Sequence, residues 1–346
     1  MRVLQLGPYP PPHGGVQTNL VALRNFLLKR QIPCAVINIT RHRKPDAHHV
    51  YYPRNAVQLL HLLLKLQYDI IHLHMGGMLT RRLLGLGLVC CSIPRSKAVL
   101  TFHSGGYPST PQGRTATANS LAGFSLRCFD GLIGVNPEIV AFFRQLGVQP
   151  ERARLIRPHA FVDDEPRADL PTALARFFAN HRPVLISVGL LEPEYDLPLQ
   201  IEVLGHLRKN IPNAGLVTIG SGSLEDDLRK RIRVQPYAEH ILLAGDVEHH
   251  ATMQAISESD VMLRTTFYDG DAVSVREALH LGTPVIATDN GMRPPGVTLI
   301  PSQSLSALQQ AIEHTLASPR APRQPTTPDE SNLQAVLDFY QELLTS

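Results

Sequence analysis

A chain of 346 residues is too long for one ordinary hydrophobic core and predicts two domains of roughly 150 residues each. With 43% hydrophobic and 18% charged residues it has the composition of an ordinary globular protein. Its longest apolar runs, residues 59–66 and 83–93, fall well short of the ~20 residues a membrane-crossing helix needs, which excludes a spanning protein.

Residues 1–6 are strand-like and run directly into a Gly/Pro loop, unlike a signal peptide. Four cysteines (Cys34, Cys90, Cys91, Cys128) show no metal-ligand spacing, and the Cys90–Cys91 pair lies in an apolar run as core thiols do. A reducing, cytoplasmic setting is expected. The net charge of +3 conceals a division. Residues 1–165 hold 19 Lys/Arg against 8 Asp/Glu, net +11, whereas residues 166–346 hold 14 against 22, net −8. Either the basic half faces anionic lipid or a phosphorylated acceptor, or its arginines are solvated helix faces. Nucleic acid is not expected, because aromatics make up only 6% and no basic-aromatic motif occurs.

In chain order, residues 2–6 read as a buried strand and Gly14–Gly15 open a helical stretch over 16–30. Strands follow at 34–39, at 69–74 with a turn at Gly76–Gly77, at 98–103 before Ser104-Gly-Gly106, and at 131–135. Pro137 then starts a helix, where its missing N–H costs nothing. The acidic, Pro-containing residues 161–171 predict an interdomain linker. A second series places strands at 184–188, at 215–219 before Gly220-Ser221-Gly222, and at 241–244, 261–264 and 284–288. Residues 319–328 are too rich in proline for helix or sheet, and 333–344 read as a terminal helix. The pattern predicts two doubly wound α/β units, 1–165 and 166–325, and a helix within 326–346 expected to pack back on the first. Ligands of such sheets sit at the carboxyl ends of the strands.

The most informative segment is Asp269-Gly-Asp-Ala-Val-Ser-Val-Arg-Glu277-Ala-Leu-His-Leu-Gly-Thr-Pro-Val-Ile-Ala287. Two carboxylates eight positions apart straddle a loop-to-helix transition. Gly270, Asp271, Ala272 and Val273 would present free N–H groups and a positive dipole end to an anion. Here the chain resembles the retaining glycosyltransferases of family 4. Their GT-B fold is two Rossmann-like doubly wound parallel-sheet domains facing each other across a cleft. Their signature is an acid, seven residues, Glu, Ala, then Gly-x-Pro-Val-Ile-Ala; Asp269 stands where a first Glu is usual, and Glu277 matches the second. Pro12-His-Gly-Gly-Val16, Asp69-Ile-Ile-His-Leu-His74, Leu100-Thr-Phe-His-Ser104, Gly134-Val-Asn-Pro-Glu138, Gly220-Ser-Gly-Ser-Leu224 and Gly245-Asp-Val247 carry the resemblance over nearly the whole chain.

The resemblance implies that Gly14 and Gly15 bring backbone N–H groups to donor phosphates and that His103 lies beside the transferred sugar. It further implies that Asp269 contacts sugar hydroxyls, that Glu277 contacts the ribose, and that no metal or other cofactor is needed. One departure matters. After residues 184–188 the family has Gly-Arg-Leu and then Lys-Gly, whose Arg and Lys clasp the diphosphate. This chain reads Gly189-Leu190-Leu191-Glu192-Pro193-Glu194-Tyr195-Asp196, with Leu190 and Tyr195 at the cationic positions. Three readings follow. Arg264, Arg276 or Arg293 supplies the charge; the donor is an unusual one, such as a sugar on a lipid phosphate; or catalysis has been lost. Three arginines around one loop system of an acidic domain favour the first.

His72 and His74 alternate onto one strand face and read as strand-end or core histidines rather than a metal pair. His13, beside Gly14, is a donor-contact or loop-capping candidate. His249 and His250 read as a surface turn. Asp269-Gly-Asp271 formally matches the metal-binding Asp-x-Asp of single-domain transferases but lies too late in the chain. The expected partners are a nucleotide-sugar donor and a glycan or lipid-linked acceptor. Residues 81–88 and 41–44 offer peripheral contact with an anionic membrane at its inner face, or form a buried helix with a basic end. A non-catalytic sugar-nucleotide-binding subunit and a sugar-nucleotide epimerase are the alternatives.

Overall fold

The computed structural model describes residues 1–10, 14–40, 48–158, 169–267, 272–291, 293–318 and 330–345. The chain divides into two compact units, residues 1–161 with 329–346, and residues 162–328.

In the first unit the elements run β1 (Val3–Gly7), α1 (Gly15–Lys29), β2 (Cys34–Asn38), β3 (Val50–Tyr51), α2 (Ala56–Lys65), β4 (Ile70–Met75), α3 (Arg81–Cys91), β5 (Lys97–Phe102), α4 (Pro111–Thr115), α5 (Leu121–Arg127), β6 (Gly131–Gly134), α6 (Pro137–Gln145) and β7 (Ala153–Leu155). Seven parallel strands take the order β3-β2-β1-β4-β5-β6-β7 among the described residues. β1, β2 and β4 are buried along their whole length, as strands covered on both faces must be. Helix starts are set locally: Asn55, Thr80, Ser120 and Asn136 each accept the N–H three residues on.

The second unit has α7 (Thr172–Asn180), β8 (Val184–Val188), α8 (Leu197–Leu207), β9 (Gly215–Ile219), α9 (Glu225–Arg233), β10 (Ile241–Gly245), α10 (His249–Glu258), β11 (Val261–Arg264), α11 (Val273–His280), β12 (Val285–Thr288), β13 (Val297–Ile300) and α12 (Leu305–Ala317). Its six parallel strands take the order β10-β9-β8-β11-β12-β13. The chain order reverses between β8 and β11, so the crevice at their carboxyl ends is the topological switch point. Helix α13 (Ser331–Thr345) returns to the first unit, where Leu333, Val336, Leu337, Phe339 and Tyr340 join the core of Val3, Phe26, Leu27, Ile70 and Val99.

Period-two alternation in β1, β4 and β5 puts Leu4, Leu6, Ile71, Leu73 and Leu100 into the core on one side of the first sheet. The other side receives Val3, Ile70 and Val99, and with them a polar row: Gln5, His72, His74 and Thr101, all buried. His72 lies between the Tyr340 hydroxyl, which meets its Nδ1, and Thr101 Oγ1, 2.7 Å from its Nε2. Both ring nitrogens are thus satisfied, as burial demands. Among the described residues no three His, Cys, Asp or Glu side chains are grouped to hold a metal ion. Cys90 is buried and Cys91 half-buried; burial pushes the Cys90 thiol up to about 12, leaving it an inert core group.

Candidate functional site

At the carboxyl end of β8 the backbone turns at Gly189 against the turn that follows β9. Gly189 N–H donates to the Ile219 carbonyl (3.0 Å) and Gly220 N–H to the Gly245 carbonyl (2.8 Å). Gly220 has φ +129°, and a Cβ there would collide with the Gly189 carbonyl oxygen, so only glycine fits. Ser221 Oγ is 2.9 Å from both carboxylate oxygens of Asp246. Glu192 accepts the Ser223 hydroxyl (2.6 Å) and N–H (2.8 Å), and those bonds hold its carboxyl below the usual range. Three strand-end loops are therefore tied together largely by backbone.

Leu190, at the first missing cationic position, is 54% exposed and brings no charge. Tyr195, at the second, ends a 3-10 turn (Pro193–Tyr195) latched to the end of β11: Thr265 Oγ1 donates to the Tyr195 carbonyl (2.9 Å), and Phe267 N–H donates to that of Glu194 (2.8 Å). The Arg264 guanidinium lies on the Tyr195 ring, 4.6 Å from its centroid, and the residue as a whole is only 6% exposed. Its Nη1 donates to the Val188 carbonyl at 2.9 Å. A Cβ on Gly189 would run into both the Tyr195 ring and Arg264 Nη1. Ser274, in the first turn of α11, reaches the same Val188 carbonyl at 3.4 Å. The last residue of β11, the first turn of α11 and the β8 turn thus meet at one point, with a buried cation among them.

The other two arginines make different contacts. Arg293 donates to Thr266 Oγ1 (2.6 Å) and the Thr288 carbonyl (3.1 Å), at the ends of β11 and β12. Arg276 is half-buried on α11 beside Glu277. Ala272 caps α11 without a side-chain bond, and Val273 begins it. Asp269, Gly270 and Asp271 lie outside the described residues, as do His13 and the basic segment 41–44. In the first unit Gly14 is the extended N-cap of α1 and Gly15 its first residue, with no side-chain cap bond.

Glu277 is 3% exposed, and its Oε1 lies 2.8 Å from His249 Nε2. This corrects the reading of His249–His250 as a surface turn: both begin helix α10, and His249 turns inward to partner a buried carboxylate that would otherwise be costly. The run Asp246-Val-Glu-His-His looks solvated, and nothing local in it signals a partner 28 positions away.

His103 follows β5 at the strand's carboxyl end and is half-buried, with its Nε2 3.2 Å from His74 Nδ1. Desolvation lowers the pKa of His103 to about 3 and that of His72 to about 3, with His103 adding to the latter, so both rings stay neutral. The unfolded chain takes up protons below about 6.5 that the folded state refuses. Stability is therefore complete above that value and falls as pH drops, by ~1.4 kcal/mol per pH unit for His72 alone. The urea midpoint followed by circular dichroism should be clearly lower at pH 5 than at pH 7.5; equal midpoints would contradict neutral burial.

Residues 13–160 match the family model described as Glycosyltransferase Family 4, and residues 175–324 match that of Glycosyl transferases group 1. Each of the two units thus matches a glycosyltransferase family model, and the fold is the two-domain Rossmann-like GT-B fold. Among curated proteins it is similar to the GDP-mannose-dependent alpha-(1-6)-phosphatidylinositol monomannoside mannosyltransferase of Mycolicibacterium smegmatis, 26% identical over 176 residues, 46% of each chain. It is also similar to the alpha-D-kanosaminyltransferase of Streptomyces kanamyceticus, 22% identical over 165 residues, 46% of this chain and 43% of that one. The matched region thus spans a little under half of each relative's length. Among solved structures, Anabaena HepE in complex with UDP and glucose aligns with a TM-score of 0.65 at 16% identity, over 100% of this chain and 97% of that one. Sucrose-phosphate synthase from Thermosynechococcus elongatus aligns at 0.68 and 18%, over the whole of both chains. At such identities the likeness is one of fold.

Proposed function

We propose that the protein transfers a sugar, with retention, from a nucleotide-sugar donor to a glycan or lipid-linked acceptor, and that Arg264 replaces the missing diphosphate cations. The observation that carries this reading is the buried Arg264 guanidinium, lodged on Tyr195 beside the Gly189 turn. Breaking the anomeric C–O bond builds positive charge on the sugar and negative charge on the departing diphosphate. A fixed guanidinium with the amides of the first turn of α11 would meet that negative charge without reorganisation, usually the largest catalytic contribution. The reaction then needs no metal.

Glu277, oriented by His249, would accept ribose hydroxyls through its second oxygen. Asp269 would contact hydroxyls of the transferred sugar, and His103 would contact a sugar hydroxyl. The curated relative that acts on a phosphatidylinositol mannoside supports a lipid-linked acceptor. So does helix α2, where Val57, Leu60 and Leu64 form an exposed apolar stripe between Arg54 and Lys65. No helix among the described residues is long and apolar enough to cross a membrane. The proposed contact is peripheral, at the cytoplasmic face. Flotation with anionic vesicles that is lost in high salt is the expected behaviour, and no salt-sensitive flotation would remove this part of the proposal.

The whole reading is tested with a panel of nucleotide sugars. One should raise the melting temperature by mass action and, given an acceptor, release nucleoside diphosphate. Binding without turnover on any acceptor would favour a non-catalytic subunit instead. An epimerised sugar released without acceptor would favour an epimerase.

A further inference from the structure

The polar row under α1 and α13 has a direction. Gln5 Nε2 donates to the Leu20 carbonyl (3.3 Å) and to Cys34 Sγ (3.3 Å), so its Oε1 is the atom turned to His74 Nε2, at 2.9 Å. The reversed amide would set oxygen against the Leu20 carbonyl oxygen. An amide oxygen only accepts, so His74 Nε2 carries the proton. The buried, neutral His74 ring therefore has a bare Nδ1, and that lone pair faces His103 Nε2 at 3.2 Å, with the two rings stacked 5.5 Å apart at 25°. A hydrogen bond there requires His103 to carry its proton on Nε2 and to leave Nδ1 bare. His103 Nδ1 has no protein partner among the described residues. His103 is only half-buried, and Nε2 is the ring nitrogen that faces His74, which leaves Nδ1 on the ring's other side.

We infer that Gln5 and His74 are positioning residues that lock His103 as its Nε2–H tautomer, so that Nδ1 is presented as an acceptor for a ligand hydroxyl. The hydroxyl is that of a bound sugar, and this assignment rests on the proposed transferase reading. Neither Gln5 nor His74 touches substrate. Each sets which nitrogen of His103 is the acceptor, and a ring locked as Nδ1–H would offer a donor where the site offers a lone pair.

The test uses full-length protein labelled with 15N-histidine at pH 7.5. In the wild type, His103 should show a protonated Nε2 and an unprotonated Nδ1. Gln5→Met, which keeps the volume but removes the acceptor, should give His103 a mixed tautomer signature and lower kcat about tenfold, roughly the worth of one or two neutral hydrogen bonds. Gln5→Glu restores an acceptor and should restore both the signature and the rate. A wild-type His103 protonated on Nδ1, or an unchanged signature in Gln5→Met, would overturn the relay. The tautomer is read without any ligand, so it stands apart from the transferase reading. That reading fails separately, if no nucleotide sugar perturbs the His103 signals of a correctly locked ring.

Discussion

Arg264→Met should lower kcat/KM for the nucleotide sugar by roughly 10²–10³-fold, the usual cost of removing one group that stabilises developing charge. The size of the effect follows from what surrounds it. The β8 turn offers Leu190 and Tyr195 where a diphosphate needs charge, and Arg293 is committed to Thr266 and Thr288 at the neighbouring strand ends. Methionine keeps the packing on the Tyr195 ring while removing the charge, so melting temperature separates a catalytic loss from a structural one. Lysine should recover only part of the rate, because a point charge lacks the planar fork and the stacking surface. Tyr195→Phe keeps the shelf and should be close to wild type, whereas Tyr195→Ala releases the guanidinium and should approach Arg264→Met. Leu190→Arg in the Arg264→Met background should regain activity. Full activity of Arg264→Met would show that this arginine is structural only.

Tyr340→Ala should destabilise the first unit severely. Tyr340 is fully buried in the core that α13 shares with Phe26, Leu27 and Val99. Truncating an aromatic ring in such a core costs about 3–5 kcal/mol. Losing the hydroxyl that meets His72 Nδ1 leaves a buried polar atom unpaired, adding ~1–3 kcal/mol. Tyr340→Phe isolates the second contribution and should cost only that smaller amount. Urea denaturation of the two variants measures both, and a Tyr340→Ala midpoint equal to wild type would mean that α13 does not hold this sheet.

Alternation of buried strands with helical stretches made the two parallel-sheet units legible, because doubly covered strands read as continuous apolar runs such as Val184–Val188. The elements that escaped are short or lie at an edge. β3 has two residues and β7 three, while β13 has only four and is a half-exposed edge strand. Helix α12 has only Leu308 and Ile312 fully buried, so its apolar face is narrow. In the candidate site, motif order pointed to Gly189, Gly220 and Glu277. Contacts between distant segments were not legible. Nothing near Arg264 says that its guanidinium will lie on a ring 69 positions earlier, and nothing in His249 signals Glu277. The Gln5–His74–His103 chain likewise exists only once three strands pair in register.

The claim that Arg264 holds the diphosphate can be tested by calorimetry, which isolates that contact. UDP and GDP, with uridine and guanosine as controls lacking phosphate, are titrated into wild-type protein and Arg264→Met. For whichever base binds, the diphosphate should lose roughly 10–100-fold in affinity on substitution, as expected for a charge-assisted bond, while the nucleoside is unaffected. Unchanged diphosphate affinity in Arg264→Met, or an equal loss for nucleoside and diphosphate, would contradict the claim.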